Sequence, residues 1–572
     1  MPQKTNQVIG TVAAPPGIEP PWSESSVSTR GGDFERESLG GAATSATCGP
    51  QVYRRAADLA LRRWVHLIGP TPWLADDCSD TRKLPLFVHN LHRRQGAALG
   101  IALLCEQDVA RSDRPYLREL VRCSLIQWEL SLCGDGCPAG RSHRLHPLHV
   151  ATASHVVRLL TETVGFRTGV LLSDVERHLR WLSRCRPQTA WLEAALVCAL
   201  ADCAMLVSDS ALRRETRRRL ADFLSTQSSE GWFPERGGAD IGRLSLTVDA
   251  LARSYIQNEW SELTEPLQRA LRFLIHFVHP DGSVGGAYGS CGTSFLSPYG
   301  VELLAPHFPE AAALSQVARR QVERSCPERL FGCDDDLYVV LGAAVALAAG
   351  SATRDLPNPA PYPHQGRGRT RFGQAGLSIV STNAYYGVVN GRKAGALRVS
   401  WRNGGADLDD PGITVIGTHR TLTSTSGDPR STEQVTEASV ISSGVLRRVG
   451  GRSRTRWGRA RRLFRRLFQE REVSKAEPSP PDAQPSPHRY HSATRDRFER
   501  EVTFEEDRVH IRDRIRCRLP CKTIVCQSPA PTSSETLVDV GVHGGVCRAP
   551  VFMEGGRHVE ITRVYRDGEL CS

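Results

Sequence analysis

Apolar residues recur three and four positions apart from residue 52 to about residue 350, which is the spacing of amphipathic helices. Stretches such as WLEAALVCALADCAMLV and LQRALRFLIHFV follow one another with short polar connections. A long series of paired helices of this kind is typical of a helical array or a closed α/α toroid. The pattern therefore predicts an α/α toroid domain over residues 51–350.

The period falls to two after residue 371. GITVIGTHRTLTSTSG and FEREVTFEEDRVHIRDRIRCR alternate polar and apolar residues, are rich in β-branched side chains, and are bounded by Gly, Asn or Asp. A proline-rich stretch at 351–370 separates the two patterns and is interpreted as a linker. The predicted fold class is α+β, with an N-terminal α/α toroid followed by an antiparallel β-sandwich over residues 371–572.

Two segments lack a pattern that could form a core. Residues 1–50 are rich in Gly, Pro, Ser and Thr, which predicts a disordered tail. A basic, Pro-rich insertion interrupts the sandwich at about 450–488. Its arginines share a helical pattern with an apolar stripe, so residues 452–468 could contact an anionic surface weakly. The simpler interpretation is a flexible insertion.

The formal charge of +11 over 572 residues comes largely from arginine and is concentrated in RTRWGRARRLFRRLF. The total charge therefore says little about partners, and no nucleic acid is expected. The 17 cysteines are an odd number in a long chain, which favours reduced thiols. No secretory signal and no run of about 18 apolar residues is visible, so we expect a cytoplasmic protein without a membrane span.

Two glycine-rich loops interrupt the helical pattern, EGWFPERGGADIGRLS from residue 230 and PDGSVGGAYGSCGTSFLSPYG from residue 280. Loops at the ends of helix pairs in a toroid face a central cleft, where ligands bind. The alternative is that their apolar residues plug helix ends while their polar residues cap helices or face solvent. Candidate ligand-binding and catalytic side chains in these loops are Trp232, Glu235, Asp240, Arg243, Tyr288 and Tyr299.

Two further clusters could hold metal. One contains residue types that bind zinc, but their spacing matches no closed zinc pattern; its members are Cys133, Cys137, His143, His146 and His149. The other is the acidic run Asp334 to Asp336, which could hold magnesium on a diphosphate but is typical of a helix cap. We expect neither a metal nor a cofactor.

Four longer stretches carry a family resemblance. FVHNLHRRQGAALGIALLCEQ, LIQWELSLCGDGCPAGRSHRLHPLHVATASHVVRLL and GLSIVSTNAYYGVVNGRKAGALRVSWRNGGADLDDPG are three of them. The fourth, STQSSEGWFPERGGADIGRLSLTVDAL, is similar to a Gln-x-x-x-Asp-Gly-x-x-x-Glu element through Gln227, Gly231 and Glu235, with Glu230 in the Asp position. Together they resemble the heparinase II/III-like family of polysaccharide lyases over about residues 55–572. The resemblance implies an α/α toroid joined to a β-sandwich and an acidic, uronate-containing polysaccharide as ligand.

The sequence departs from that family where its chemistry resides. Such lyases use an Asn or Gln to pair the uronate carboxylate, and a Tyr with a nearby His to move protons. Where a Tyr usually follows the Glu element, this chain reads Asp-Ile-Gly-Arg from Asp240. The helix that usually opens with Asn-His reads Thr-Ala-Trp from Thr189, and RSHRLHPLHVA lacks the expected Trp and Glu. The fold is therefore better supported than the activity.

β-Elimination of a uronate requires a partner for the C5 carboxylate, a base for the C5 proton and an acid for the O4 leaving group. By residue type and loop position, Arg243 could pair the carboxylate and Tyr288 or Tyr299 could move the protons. His279 and His307 are alternative bases.

Two other functions stay open. A non-catalytic carbohydrate-binding protein or an accessory protein of polysaccharide biosynthesis is favoured by the missing tyrosine. A terpene cyclase or prenyltransferase would also use an α/α toroid, but aromatic residues are only 6% of the chain and its second half is a sandwich. The oligomeric state is left open.

Overall fold

The computed structural model describes the chain in segments. They are residues 49–57, 172–187, 189–206, 210–236, 238–324, 335–353, 356–416, 421–424, 432–448, 493–518, 523–526, 551–554, 558–567 and 569–571. The predicted tail lies almost wholly outside these residues, as do the basic insertion, the Cys133 to His149 cluster and Asp334.

Helices make up the first part of the described chain. A helical segment at 51–57 comes first. The helices that follow are α1 (Leu172–Arg184), α2 (Ala190–Leu206), α3 (Ser210–Leu224), α4 (Ile241–Asn258), α5 (Thr264–Ile275), α6 (Pro298–Leu304), α7 (Pro309–Arg324) and α8 (Asp335–Ser351). Buried apolar residues of α2 to α7 form one core that includes Leu251, Leu271 and Leu314, whereas α8 packs in two smaller clusters. None of the described helices is long and apolar enough to cross a membrane.

Antiparallel strands follow the helices in two sheets. The first sheet has five strands in the order β1 to β5, and the second has ten, with β9, β10, β11 and β14 adjacent at its centre. The first sheet contains β1 (Gly368–Phe372), β2 (Leu377–Ser381), β3 (Tyr385–Asn390), β4 (Ala396–Trp401) and β5 (Leu408–Asp410). The second contains β6 (Ile413–Ile416), β7 (Thr421–Thr423), β8 (Thr432–Val435), β9 (Ser439–Arg448), β10 (Ala493–Phe504), β11 (Arg508–Arg516), β12 (Thr523–Cys526), β13 (Val551–Glu554), β14 (His558–Arg566) and β15 (Glu569–Leu570).

The first sheet is the middle layer of the molecule. Successive side chains of a strand point to opposite faces, so Tyr386 packs into the helical core while its neighbour Tyr385 packs against the second sheet. Tyr386 also donates a 2.6 Å hydrogen bond to the carbonyl of His276 at the end of α5. The helices therefore rest on a sheet that is itself packed on a second sheet. An α/α region followed by an antiparallel β-sandwich is confirmed.

A buried ion cluster joins the strands of the sandwich. Arg500 donates to Asp513 at 2.6 Å and to Asp410 at 2.9 Å, and Arg563 bonds the same two carboxylates at 2.6 and 2.9 Å. All four side chains are buried. Two guanidinium groups and two carboxylates balance in charge, which is the condition for burying them at all.

Candidate functional site

The first glycine-rich loop, residues 225–240, is shaped by Gly231. Its φ of +103° favours glycine, and a Cβ there would lie 2.2 Å from the carbonyl oxygen of Arg269. Gln227 secures the same turn, because its side-chain amide donates 2.9 Å hydrogen bonds to the carbonyls of Gly231 and Pro266. The loop is therefore held against the start of α5.

Glu230 attaches this loop to the first sheet. Its carboxylate accepts hydrogen bonds from the backbone amides of Gln374 at 2.7 Å and Ala375 at 3.0 Å. The indole N–H of Trp232 donates to the same carboxylate at 3.0 Å. Trp232, predicted to bind substrate, is thus half-buried and engaged with Glu230 at the domain boundary.

Glu235 is buried at the amino end of α2. Its Oε1 accepts a 2.7 Å hydrogen bond from the Trp191 amide, and its Oε2 lies 3.5 Å from a guanidinium nitrogen of Arg243. Burial raises the pKa of this carboxyl to about 7, although the Trp191 amide and Arg243 oppose the shift. Near neutral pH the group is therefore only partly ionised, and it neutralises Arg243 only in part.

Asp240 is the N-cap of α4 and also ties the two loops together. It accepts from the backbone amide of Arg243 at 3.2 Å, which is a capping bond. Across the loop boundary it accepts from the Cys291 amide at 2.8 Å and from the Thr293 hydroxyl. Asp240 is buried, and both of its carboxylate oxygens accept hydrogen bonds, so it organises the site.

The second glycine-rich loop, residues 276–297, folds back on the first. Ser290 donates from its amide to the Ala239 carbonyl at 2.8 Å and from its hydroxyl to the Glu235 carbonyl at 2.7 Å. Gly285 has a φ of +71°, and a Cβ there would lie 2.4 Å from the Thr293 carbonyl oxygen. The two loops therefore converge, as their place at helix ends predicted.

Tyr288 and His279 of the second loop form a buried pair. The Tyr288 hydroxyl lies 3.0 Å from Nε2 of His279, which is also 3.1 Å from the Gly285 carbonyl oxygen. Burial lowers the pKa of His279 to about 3 and raises the pKa of Tyr288 well above its ordinary value. Both side chains are fully buried, so both are neutral and neither meets solvent.

The first sheet covers this pair. The side-chain amide of Asn390 donates a 2.8 Å hydrogen bond to the Tyr288 carbonyl, and Lys393 donates through Nζ to the Gly289 carbonyl. Arg398 pairs with Asp281 of the second loop at 3.1 Å and with Asp407 at 2.9 Å. We call the place where both loops meet the turn after β3, residues 390–395, the loop junction.

The exposed rim of the loop junction is the turn from Ser290 to Thr293. Gly292 is exposed and its neighbours are half-buried. A Cβ on Gly292 would lie 3.8 Å from Nζ of Lys393, which places that ammonium beside the turn. Burial and the Asp240 carboxylate raise the pKa of the Cys291 thiol to about 11. Arg243 lies near this turn, because its guanidinium is 3.5 Å from Oε2 of Glu235 and the Glu235 carbonyl accepts from the Ser290 hydroxyl.

Two predicted proton-transfer residues lie elsewhere. Tyr299 is in the first turn of α6 and packs in a small cluster with Ala343, Ala344 and Leu347. His307 is exposed beyond the end of α6, with its ring edge-on to Tyr255 at 6.1 Å between centroids. The structure brings Glu235, Asp240, Arg243, Tyr288 and His279 together and leaves these two outside the junction.

No protein-family model matches the sequence, and no curated protein matches it. Several solved structures are similar in fold. The Streptomyces coelicolor A3 chondroitin AC lyase in complex with chondroitin sulphate is 12% identical, with 83% of this chain and 68% of that chain covered and a TM-score of 0.48. A Paenibacillus xanthan lyase is 10% identical, with 83% and 46% covered and a TM-score of 0.44. Heparinase III is 9% identical, with 84% and 73% covered and a TM-score of 0.45.

These structures are polysaccharide lyases, and the similarity to them is structural and of low identity. Each superposition has a TM-score below 0.5, so the role of each side chain here depends on the geometry of this chain alone.

Sequence reasoning missed the contribution of the first sheet. Asn390, Lys393 and Arg398 reach the second loop from β3, β4 and the turn between them. Their signal is the segment NGRKAGALR, where an Asn-Gly turn carries basic residues between two apolar strands. Nothing in that segment indicates which loop of the helical domain it meets.

Proposed function

We propose that this protein binds an acidic, uronate-containing polysaccharide at the loop junction. The observation that carries the proposal is that Lys393 and Arg243 both lie near the exposed Ser290 to Thr293 turn, Lys393 beside Gly292 and Arg243 beside Glu235, whose carbonyl accepts from the Ser290 hydroxyl. One cation comes from the helical domain and the other from the first sheet, so a ligand that touches both contacts both parts of the fold.

The charge balance of the junction supports an anionic ligand. Arg243 faces Glu235, whose pKa burial raises to about 7, and its side chain is 21% exposed. Lys393 donates to the Gly289 carbonyl and forms no ion pair within 4 Å among the described residues, although burial lowers its pKa and the nearby Asp240 and Asp409 oppose that shift. By contrast, Arg398 is already paired with two carboxylates. Arg243 and Lys393 are therefore the cations with capacity left for a ligand carboxylate.

The turn beside these cations can meet a sugar through its exposed backbone at Gly292. The Ser290 and Thr293 hydroxyls already donate to the Glu235 carbonyl and the Asp240 carboxylate, so they hold the turn in place. The resemblance of the sequence to heparinase II/III-like proteins independently suggests a uronate polymer. The burial of Tyr288 and His279 favours binding of the polymer without its cleavage.

A lyase reaction is the second candidate, and the 3.0 Å contact between Tyr288 and His279 favours it. A phenol and an imidazole in contact could move the C5 and O4 protons of a uronate. Both groups are fully buried under the first sheet, so the reaction would require the sheet and the second loop to separate. Binding requires no such change and is therefore preferred.

One pair of assays separates the candidates. Fluorescence titration with labelled polygalacturonate and chondroitin sulphate measures binding, and absorbance of unsaturated products in the near ultraviolet measures elimination. We expect binding without product. If the wild type forms product, and the rate of formation is about a hundredfold lower in the Tyr288→Phe variant, the protein is a lyase instead. If the protein shows no binding and forms no product with any acidic glycan, the proposal is contradicted.

A further inference from the structure

The outer face of the second sheet carries a row of basic side chains with no carboxylate among them. In the register of the sheet, Arg497 of β10 is paired with Arg516 of β11, and Arg516 is paired with His558 of β14. All three residues are exposed, while their neighbours Phe498 and Ile515 are buried. We call Arg497, Arg516 and His558 the arginine row.

The next row of the same face is built differently. There Glu499, Arg514 and Glu560 are aligned across the same three strands. Arg514 lies 2.6 Å from Glu499 and 3.6 Å from Glu560, so its charge is neutralised within the sheet. Arg512 of the following row also pairs with Glu560. Cations on this face are thus normally matched with carboxylates.

The two arginines of the row have no such match. Neither Arg497 nor Arg516 forms an ion pair or side-chain hydrogen bond within the part of the chain that the structure describes. Like charges directly opposite each other across two strands destabilise a sheet. Glutamate at either position would restore the pattern of the neighbouring row and stabilise the sheet. The opposed arginines are therefore better explained by binding of an external anion than by stability of the fold.

We propose that the arginine row is a second binding surface for the same acidic polysaccharide. This inference rests on the proposed function. Neighbouring strands are about 5 Å apart, so the row spreads two arginines and a histidine over about 10 Å and can meet carboxylates along an extended chain. The row and the loop junction are on different layers, because the second sheet lies beyond the first. A short oligosaccharide therefore occupies one surface, whereas a long polymer can occupy both.

Other polyanions fit this face less well. Single-stranded nucleic acids bind on platforms of exposed aromatic side chains, and this face offers arginine, glutamate, threonine and histidine. An anionic membrane requires apolar side chains that insert between lipids. The only exposed large apolar residues among those described are Ile256 and Leu570, which lie outside the row.

The test compares a long polymer with a short oligosaccharide. Arg497→Gln/Arg516→Gln should lower affinity for long polygalacturonate by about tenfold, through loss of avidity, and leave affinity for a galacturonate tetrasaccharide unchanged. Arg243→Ala should lower the affinity for both the polymer and the tetrasaccharide. The matched control is Arg54→Gln/Arg55→Gln, which removes the same charge from two exposed arginines of the first helical segment. It should change neither affinity by more than about twofold.

A second variant distinguishes binding from folding. Arg516→Glu places a carboxylate opposite Arg497, so the melting temperature should rise slightly while polymer affinity falls. If the wild type binds polymer and both row variants bind it equally well, the arginine row is not a binding surface and the proposed function stands. If the wild type binds no acidic glycan, the proposed function and the inference about the arginine row are both contradicted. A row variant that loses affinity for single-stranded DNA and keeps its affinity for polygalacturonate would assign the surface to nucleic acid and overturn the inference.

Discussion

The Asp240 carboxylate accepts a 2.8 Å hydrogen bond from the backbone amide of Cys291, although the two residues belong to different loops. The same carboxylate caps α4. One buried side chain therefore fixes the start of a helix and the rim of the candidate site. Because Cys291 belongs to the turn beside Lys393, this bond holds the rim of the site against the start of α4.

Replacing Asp240 with alanine should lower stability and ligand binding together. The change removes an N-cap and leaves the amide of Cys291 without its partner, which costs about 2–4 kcal/mol in the free energy of unfolding. Urea denaturation measures this loss. Asp222→Ala is the control, because Asp222 is exposed and its ion pair with Arg218 is also exposed, and it should cost less than about 1 kcal/mol. Equal effects of the two variants would show that Asp240 does not organise the loops.

Gly231→Ala should destabilise the protein by more than about 2 kcal/mol, since it combines a positive φ with a Cβ placed 2.2 Å from a backbone oxygen. Gly373→Ala is the matched control, because a Cβ at Gly373 has no atom within 4 Å and φ there is not in the left-handed region. Its midpoint of thermal unfolding should stay close to that of the wild type. A Gly231→Ala protein as stable as the control would mean that the first loop is not held against α5.

Stability should fall as the pH rises from about 4.5 to about 7, through Glu235. Burial raises the folded-state pKa of this carboxyl from 4.5 to about 7, so the folded state holds its proton over a range where the unfolded state has lost it. The stabilisation is complete below the unfolded pKa and is lost as the pH passes the folded pKa. Each such group contributes up to about 1.4 kcal/mol per pH unit.

Glu235→Gln should remove this part of the pH dependence. Asp249, whose pKa burial also raises to about 7, keeps its own contribution of the same sign. The slope of unfolding free energy against pH between 5 and 7 should therefore be shallower in Glu235→Gln than in the wild type, and not zero. Identical slopes would show that Glu235 is ionised in the folded protein at these pH values.

Asp513→Ala should strongly destabilise the sandwich. It removes a carboxylate that pairs with both Arg500 and Arg563, and breaking a buried ion pair by removing one partner costs about 3–5 kcal/mol. Glu499→Ala, which breaks the partly exposed pair with Arg514, should cost less than about 1 kcal/mol. Chemical denaturation of both variants checks the contrast, and a small loss for Asp513→Ala would contradict it.

The order of helices and strands could be predicted because burial imposes a period on each. The helical period in LQRALRFLIHFV corresponds to α5, and the alternation in FEREVTFEEDRVHIRDRIRCR corresponds to β10 and β11. The meeting of the two glycine-rich loops was also foreseen, because loops at the ends of helix pairs share one side of the domain.

The role of each loop residue could not be predicted from residue type. Tyr288 and His279 are chemically suited to proton transfer, but whether they meet solvent is decided by Asn390 and Lys393, which are about a hundred residues away in the chain. Asp240 both caps α4 and connects the two loops, because the Cys291 amide lies within hydrogen-bond distance of its carboxylate. Contacts of this kind depend on how the sheet docks on the helices, and local periodicity contains no signal for that docking.

The most direct test of the proposed function is a crystal structure of the protein with a galacturonate tetrasaccharide. The proposal predicts a bound sugar at the Ser290 to Thr293 turn, with carboxylates within about 4 Å of both the Arg243 guanidinium and the Lys393 ammonium. Tyr288 and His279 should stay covered by the first sheet, and the tetrasaccharide should be intact. A sugar bound away from both cations, or cleaved beside an exposed Tyr288, would contradict the account.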